Sequence, residues 1–224
     1  MTQTILPEKQ LPKYSKGEEI FNMVTHIVGG ALGIVATVLC IIFSAKHNNV
    51  YGVVSSSIFG ASMIILYTMS SIYHGLSPNL KAKKVFQILD HCSIFLLIAG
   101  TYTPFSLCTL RQYDVATGWI IFGIVQAMAI IGIVLNAVDM KKYKTFSLIC
   151  YLVMGWCILA RINLLPKLLG ITGFVLLLSG GIVYTIGAII YGIGKKKKWM
   201  HSIFHIFIVI GSLLHFLCIL LYVV

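Results

Sequence analysis

The chain has 224 residues, of which 58% are hydrophobic and 10% charged, with a mean hydropathy of +0.95. A soluble domain is about half apolar and about a quarter charged, so too few polar residues remain here to cover a water-facing surface, and a soluble fold is excluded. The net charge of +11 comes from lysines gathered between hydrophobic segments, which reads as a membrane-topology signal and an attraction to anionic headgroups, not as a nucleic-acid site.

Residues 1–18 read as a short tail, and residues 19–224 as one all-α transmembrane domain of seven helices. The first 19 residues include Glu8, Lys9, Lys13, Lys16, Glu18 and Glu19 and no apolar stretch, so no cleaved signal peptide is expected. A helix needs about 20 apolar residues to cross the hydrocarbon. Span one, about 19–43, carries Asn22 and His26 four apart on one face, and a Gly29–Gly33 pair suited to close helix contact. His26 reads equally as a group supporting a site and as a helix–helix hydrogen bond. Span two, about 51–75, ends with Ser70 and His74, again one turn apart. Span three, about 85–108, carries Asp90 near its start. His91 lies about 100° further round that helix and is expected to face away, and Pro104 is expected to kink the second half. Spans four and five, about 117–136 and 144–161, hold Trp119 and Trp156 toward their ends, and with Trp199 these read as interfacial anchors. Span six, about 168–192, has Gly173, Gly180, Gly187 and, just past its end, Gly194 at seven-residue intervals, a groove for a neighbouring helix. Span seven, about 199–223, holds His201 and His205 one turn apart, with His215 about 21 Å further along. His47 falls in a loop, and the six cysteines, with no CxxC pair, read as small buried apolar residues.

The basic residues fix an expected orientation. The N-terminal tail and the second, fourth and sixth loops hold 13 Lys and Arg, against 4 in the remaining loops and the C-terminus. The positive-inside rule then places the N-terminus in the cytoplasm and the C-terminus outside, with the "KKKK" run at 195–198 as a topology determinant.

That orientation brings His74, Asp90, His201 and His205 to the cytoplasmic ends of their spans, within about 10 Å of one interface. Ionisable groups at membrane depth cost about 2.5–3.5 kcal/mol each on an insertion scale, and Asp90 is the acidic residue clearly inside a span. His201 and His205 project from one face and can reach one ion, with His74 as a third ligand from another helix. Three protein ligands leave a fourth tetrahedral position open, the arrangement of catalytic zinc. Imidazole suits Zn²⁺ and leaves copper, nickel and iron open; a proton relay is the rival reading. Ser70 shares a face with His74, and its hydroxyl can serve a water or an oxyanion, or else bond back to the carbonyl one turn earlier. His215 lies too deep to join the set.

The segments "EEIFNMVTHIVGG", "SSIYHG", "LDHCSIFLLIAGTYTPF", "MGW", "GGIVYTIGAIIY" and "HSIFHIFIVIGSLLHF" occur in this order on six of the seven spans. Together they resemble the hemolysin III family of bacterial membrane proteins, which groups with the progestin and adipoQ receptors and more distantly resembles the alkaline ceramidases. The resemblance implies a multi-pass protein of the bacterial plasma membrane with a zinc ion near the cytoplasmic face. Carried over by motif, the ligands are His74, His201 and His205, Asp90 contacts the metal directly or through water, and Ser70 is the serine of the SxxxH pattern. The short tail gives no support for hormone recognition.

Three functions are compatible with this. The first is a zinc-dependent hydrolase of a lipid-like amide or ester drawn from the membrane, with Asp90 as general base and Ser70 as oxyanion donor. The second is a pore-forming cytolysin, disfavoured by seven spans and no export signal. The third is a sensor of membrane lipid state in which zinc is structural. No nucleic-acid partner is expected.

Overall fold

The computed structural model describes residues 11–194 and 197–224, so the first ten residues of the tail, with Glu8 and Lys9, and Lys195 and Lys196 of the "KKKK" run lie outside the described residues. Seven helices among the described residues are long and apolar enough to cross a membrane. Their α-helical parts are α1 (Lys16–Lys46), α2 (Val50–Gly75), α3 (Lys81–Pro104), α4 (Val115–Asp139), α5 (Lys144–Trp156), α6 (Leu165–Ile193) and α7 (Met200–Tyr222), the third span running on to Tyr113 and the fifth to Arg161.

Local chemistry sets the ends. Ser15 and Glu18 form a capping box in which the Ser15 hydroxyl accepts from the Glu18 N–H and the Glu18 carboxylate accepts from the Ser15 N–H. Helix α1 therefore begins at Lys16, and both glutamates of "EEIF" lie in its first turn. The Asn49 side chain caps α2 by accepting from the Gly52 N–H at 2.8 Å. Asp114 caps α4, accepting from the Thr117 N–H at 2.9 Å and from its hydroxyl, and these bonds hold the exposed carboxyl below its ordinary pKa.

At Pro104 the helix does not stop. The chain continues from α3 through a π-helical turn, Phe105–Leu110, into one last α turn, Arg111–Tyr113. Proline has no N–H to give the carbonyl four residues back, and the wider register takes up the break. Helix α5 likewise ends in a 3₁₀ turn, Cys157–Arg161.

Helices α1, α2 and α3 pack in sequence, α6 packs along α7, and α1 also meets α7, which closes the ring on the side that carries the histidines. Phe59, Met63 and Tyr67 of α2, Phe95 of α3, and Val125 and Ala129 of α4 form part of the core. The outside is equally apolar: Val28, Ile130 and Ile171 are 59%, 63% and 70% exposed, as lipid-facing positions must be. The glycine groove of α6 faces α7 as expected. A Cβ on Gly180 would lie 2.2 Å from the His215 ring, and one on Gly187 would lie 2.9 Å from Phe207 Cβ. Trp119 and Trp199 are exposed near helix ends, in keeping with an anchoring role. Trp156 differs: its indole N–H donates to Thr185 Oγ1 at 3.0 Å, which turns the ring inward. The cysteines are all free, and five of the six are buried.

The seam predicts a contrast. Gly180→Val should lower the melting temperature of the detergent-solubilised protein by several degrees, because a packed interface must open. Gly192→Ala, where nothing lies within 4 Å of the added carbon, should leave it unchanged or slightly raised.

Candidate metal centre

Two helices supply the imidazoles. His201 and His205 lie one turn apart on the first two turns of α7, and His74 lies in the last turn of α2. Their Nε2 atoms converge: His201 to His74 is 3.3 Å and His205 to His201 is 3.1 Å. One nitrogen from each of the three lies within 4.8 Å of the others. Zinc bonded tetrahedrally to imidazole at about 2.0–2.1 Å sets its nitrogens roughly 3.3 Å apart, so the spacing fits such an ion. The donor balance agrees. His74 Nδ1 lies 2.6 Å from Glu19 Oε2; as the donor there, it leaves Nε2 as a lone pair. Lone pairs turned on one point repel unless a proton or cation sits among them.

Glu19 was not singled out by the sequence reading, and Lys83 was counted only as a topology charge. Both belong to this site. Lys83 is 1% exposed, and its ammonium donates to Glu19 Oε1 at 2.7 Å and to the Leu76 carbonyl at 2.8 Å. Glu19 is thus held through both oxygens, one on the ligand and one on the lysine, and orients His74 in the way that carboxylates behind metal-bound histidines do. A signal existed, since Glu19 precedes Asn22 by three residues and His26 by seven on one face of α1.

The remaining candidates line an adjoining cavity. It encloses about 1310 Å³ of empty space, counting its open mouth. Ser70, Asp90, His201 and His205 form part of one end, Ile94, Leu97, Leu152 and Ile208 part of the wall, and Tyr102, Trp156 and His215 the other end. Asp90 is 8% exposed and is not among the atoms gathered with the three imidazoles; it stands at the wall beside them. Ser70 is fully buried, and its hydroxyl has no hydrogen-bond partner among the described residues. His91 corrects an expectation: the cavity is broad enough to be lined by both Asp90 and His91. Its nitrogens are engaged, Nδ1 with the Gln87 carbonyl at 3.0 Å and Nε2 with the Tyr191 hydroxyl at 3.4 Å. His215 sits apart from the triad, as expected, with Nε2 donating to the Leu177 carbonyl at 3.1 Å. His47 is exposed at the end of α1. Tyr14, ahead of α1, stacks on His201 with ring centroids 4.9 Å apart, and burial pushes its phenol above its ordinary pKa.

The sequence has counterparts in known proteins. The sequence model of the family described as Haemolysin-III related matches residues 14–216. The chain belongs to that family. It is 42% identical to Hemolysin-3 of Bacillus cereus over 206 residues, covering 92% of each chain. It is 41% identical to the Hemolysin-3 homolog of Bacillus subtilis (strain 168) over 207 residues, 92% of this chain and 95% of the relative. A more distant relative is the human Monocyte to macrophage differentiation factor, 24% identical over 201 residues, 88% of this chain and 77% of the other. The chain is accordingly a multi-pass membrane protein of the haemolysin-III type, and it carries a three-histidine group able to hold a metal ion.

Two sets of variants test the centre. His74→Ala, His201→Ala and His205→Ala should each abolish stoichiometric zinc, measured by elemental analysis of the purified protein. Glu19→Gln should keep the ligands but weaken zinc about 10–100-fold in a chelator competition, the usual cost of losing such a support.

Proposed function

We propose that this haemolysin-III protein is a zinc-dependent hydrolase of a lipid-like amide or ester, working at the cytoplasmic side of the membrane. One observation carries the reading. Two of the three converging imidazoles, His201 and His205, line the same largely apolar cavity that Asp90 and Ser70 line. Metal, acid–base group, hydroxyl donor and a channel for a hydrocarbon chain therefore meet in one place. The orientation rests on charge, with the tail and the α2–α3 and α6–α7 connections on the lysine-rich side.

Each residue has a task. His74, His201 and His205 would hold the ion, and Glu19 and Lys83 keep His74 in its tautomer. A bound zinc ion supplies Lewis acidity, lowering the pKa of water toward 7 and polarising a carbonyl. Asp90 takes a proton from the attacking water and returns it to the departing nitrogen or oxygen. The C–N or C–O bond breaks, a carboxylic acid and an amine or alcohol leave, and no proton is gained or lost by the protein. Ser70, with an unengaged hydroxyl, donates to the carbonyl oxygen as it becomes negative. The acyl chain lies along the wall toward Tyr102 and Trp156.

The test is release of fatty acid from N-acyl and O-acyl lipids in mixed micelles by the zinc-loaded protein, followed by mass spectrometry. Asp90→Asn should retain zinc and lose at least about 100-fold in rate, the scale of a lost general base. Retention of full activity by that variant would point instead to a structural ion. A stable conductance from the purified protein in planar bilayers, with no hydrolysis, would favour a pore-forming cytolysin instead.

A further inference from the structure

Three histidines inside the bundle lie outside the triad, His26 and His215 buried and His91 half-buried, and they are treated differently. His91 and His215 each bond a backbone carbonyl, at 3.0 Å and 3.1 Å. His26 is 3% exposed, and neither of its ring nitrogens has a partner among the described residues. A neutral imidazole carries one donor and one acceptor, and leaving such groups unmade in a buried site costs about 1–3 kcal/mol each. The other two each keep at least one ring nitrogen bonded to the backbone, and His26 keeps none.

The serines of α2 show the same contrast. Ser62 and Ser71 bond back to the carbonyls of Phe59 and Tyr67, each at 2.7 Å. Ser70, between Tyr67 and His74 on the buried face, does not. His26 and Ser70 both line the cavity.

His26 is also excluded from the metal by its orientation. Its ring stacks on His205 with centroids 3.8 Å apart and planes 21° from parallel. An imidazole binds a cation in its own plane, so an ion held by His205 Nε2 lies one ring thickness off the plane of His26. Tyr67 also packs against the ring, edge to face, with centroids 5.0 Å apart.

We propose that His26 is a substrate-contacting residue. Its ring N–H and the Ser70 hydroxyl form a donor pair in the cavity wall beside the triad, and this pair receives the carbonyl oxygen of a long-chain acyl compound. The assignment deepens the hydrolase reading and rests on the cavity being its substrate site. It selects for ligands with a carbonyl near one end of the chain, over hydrocarbon of equal length.

The test is binding without turnover. Heptadecan-2-one, a carbonyl compound that cannot be hydrolysed, and heptadecane compete with a fluorescent fatty acid for the full-length, zinc-loaded protein in detergent. His26→Phe keeps the stacking on His205, so zinc affinity should stay within about twofold. Affinity for the ketone should fall about five- to tenfold, the loss of one neutral hydrogen bond, with the alkane unaffected. His26→Gln, which keeps a donor, should restore most of the ketone affinity. If His26→Phe does not assemble, His26→Met gives the same comparison. Equal weakening of ketone and alkane, or no weakening, overturns the assignment, as does failure of the ketone to bind the wild type. A pairing of His26 with Asn22, its unbonded neighbour one turn earlier, would make His26→Phe and Asn22→Leu equal in lost stability with no change in ketone preference, and that also overturns it. The two readings fail separately. Ketone binding that depends on His26 with no hydrolysis of any lipid leaves the pair standing and removes the hydrolase, whereas full hydrolysis by His26→Phe does the reverse.

Discussion

The Glu19 carboxylate is the interaction on which the site depends. It accepts from His74 of α2 and from Lys83 of α3 while belonging to α1, so three helices meet on one group. Each member would be costly alone at a membrane boundary. Together they pair the one buried lysine among the described residues, give a ligand its tautomer, and hold Glu19 through both oxygens. The triad geometry follows from this, because a His74 ring free to turn about its own axis would present either nitrogen to the ion.

Burial inside the bundle then separates two kinds of polar group. Many serines and threonines in the helices return their hydroxyls to carbonyls three or four residues earlier, as Thr37, Ser44, Ser93 and Thr101 do. Those residues are at peace with a dry interior. The polar atoms left without partners gather near the triad, on Asn22, His26, Ser70, His201, Ser202 and His205, with Ser106 and His215 elsewhere. Unsatisfied capacity is thus concentrated beside the three-histidine group that could hold a metal ion.

Much of this was legible in the sequence, for physical reasons. Apolar length fixes the spans, and a histidine or aspartate in such a run stands out because lipid tolerates so few. The shared depth of His74, His201 and His205 follows from alternating helix direction, and these are the residues whose nitrogens converge. Glu19 and Lys83 escaped because a charge at a helix end looks like loop: the pattern that marks a membrane boundary also hides a buried ion pair placed there. The Pro104 register change and the inward turn of Trp156 escaped because both depend on tertiary partners. The glycine repeat was readable because its period matches two helical turns.

That glycine seam has a mechanical consequence. Helix α7 carries two of the three imidazoles, and it is seated against Gly180 and Gly187 of α6 through His215 and Phe207 with no room for an extra carbon. A helix that rolled about 10° on its axis would swing a side-chain nitrogen, at a radius of about 6 Å, by roughly 1 Å. Coordination bonds tolerate far less. The contacts of His215 and Phe207 with the glycine seam therefore act as a spline, keeping the helix from rolling in its seat and holding the aim of His201 and His205.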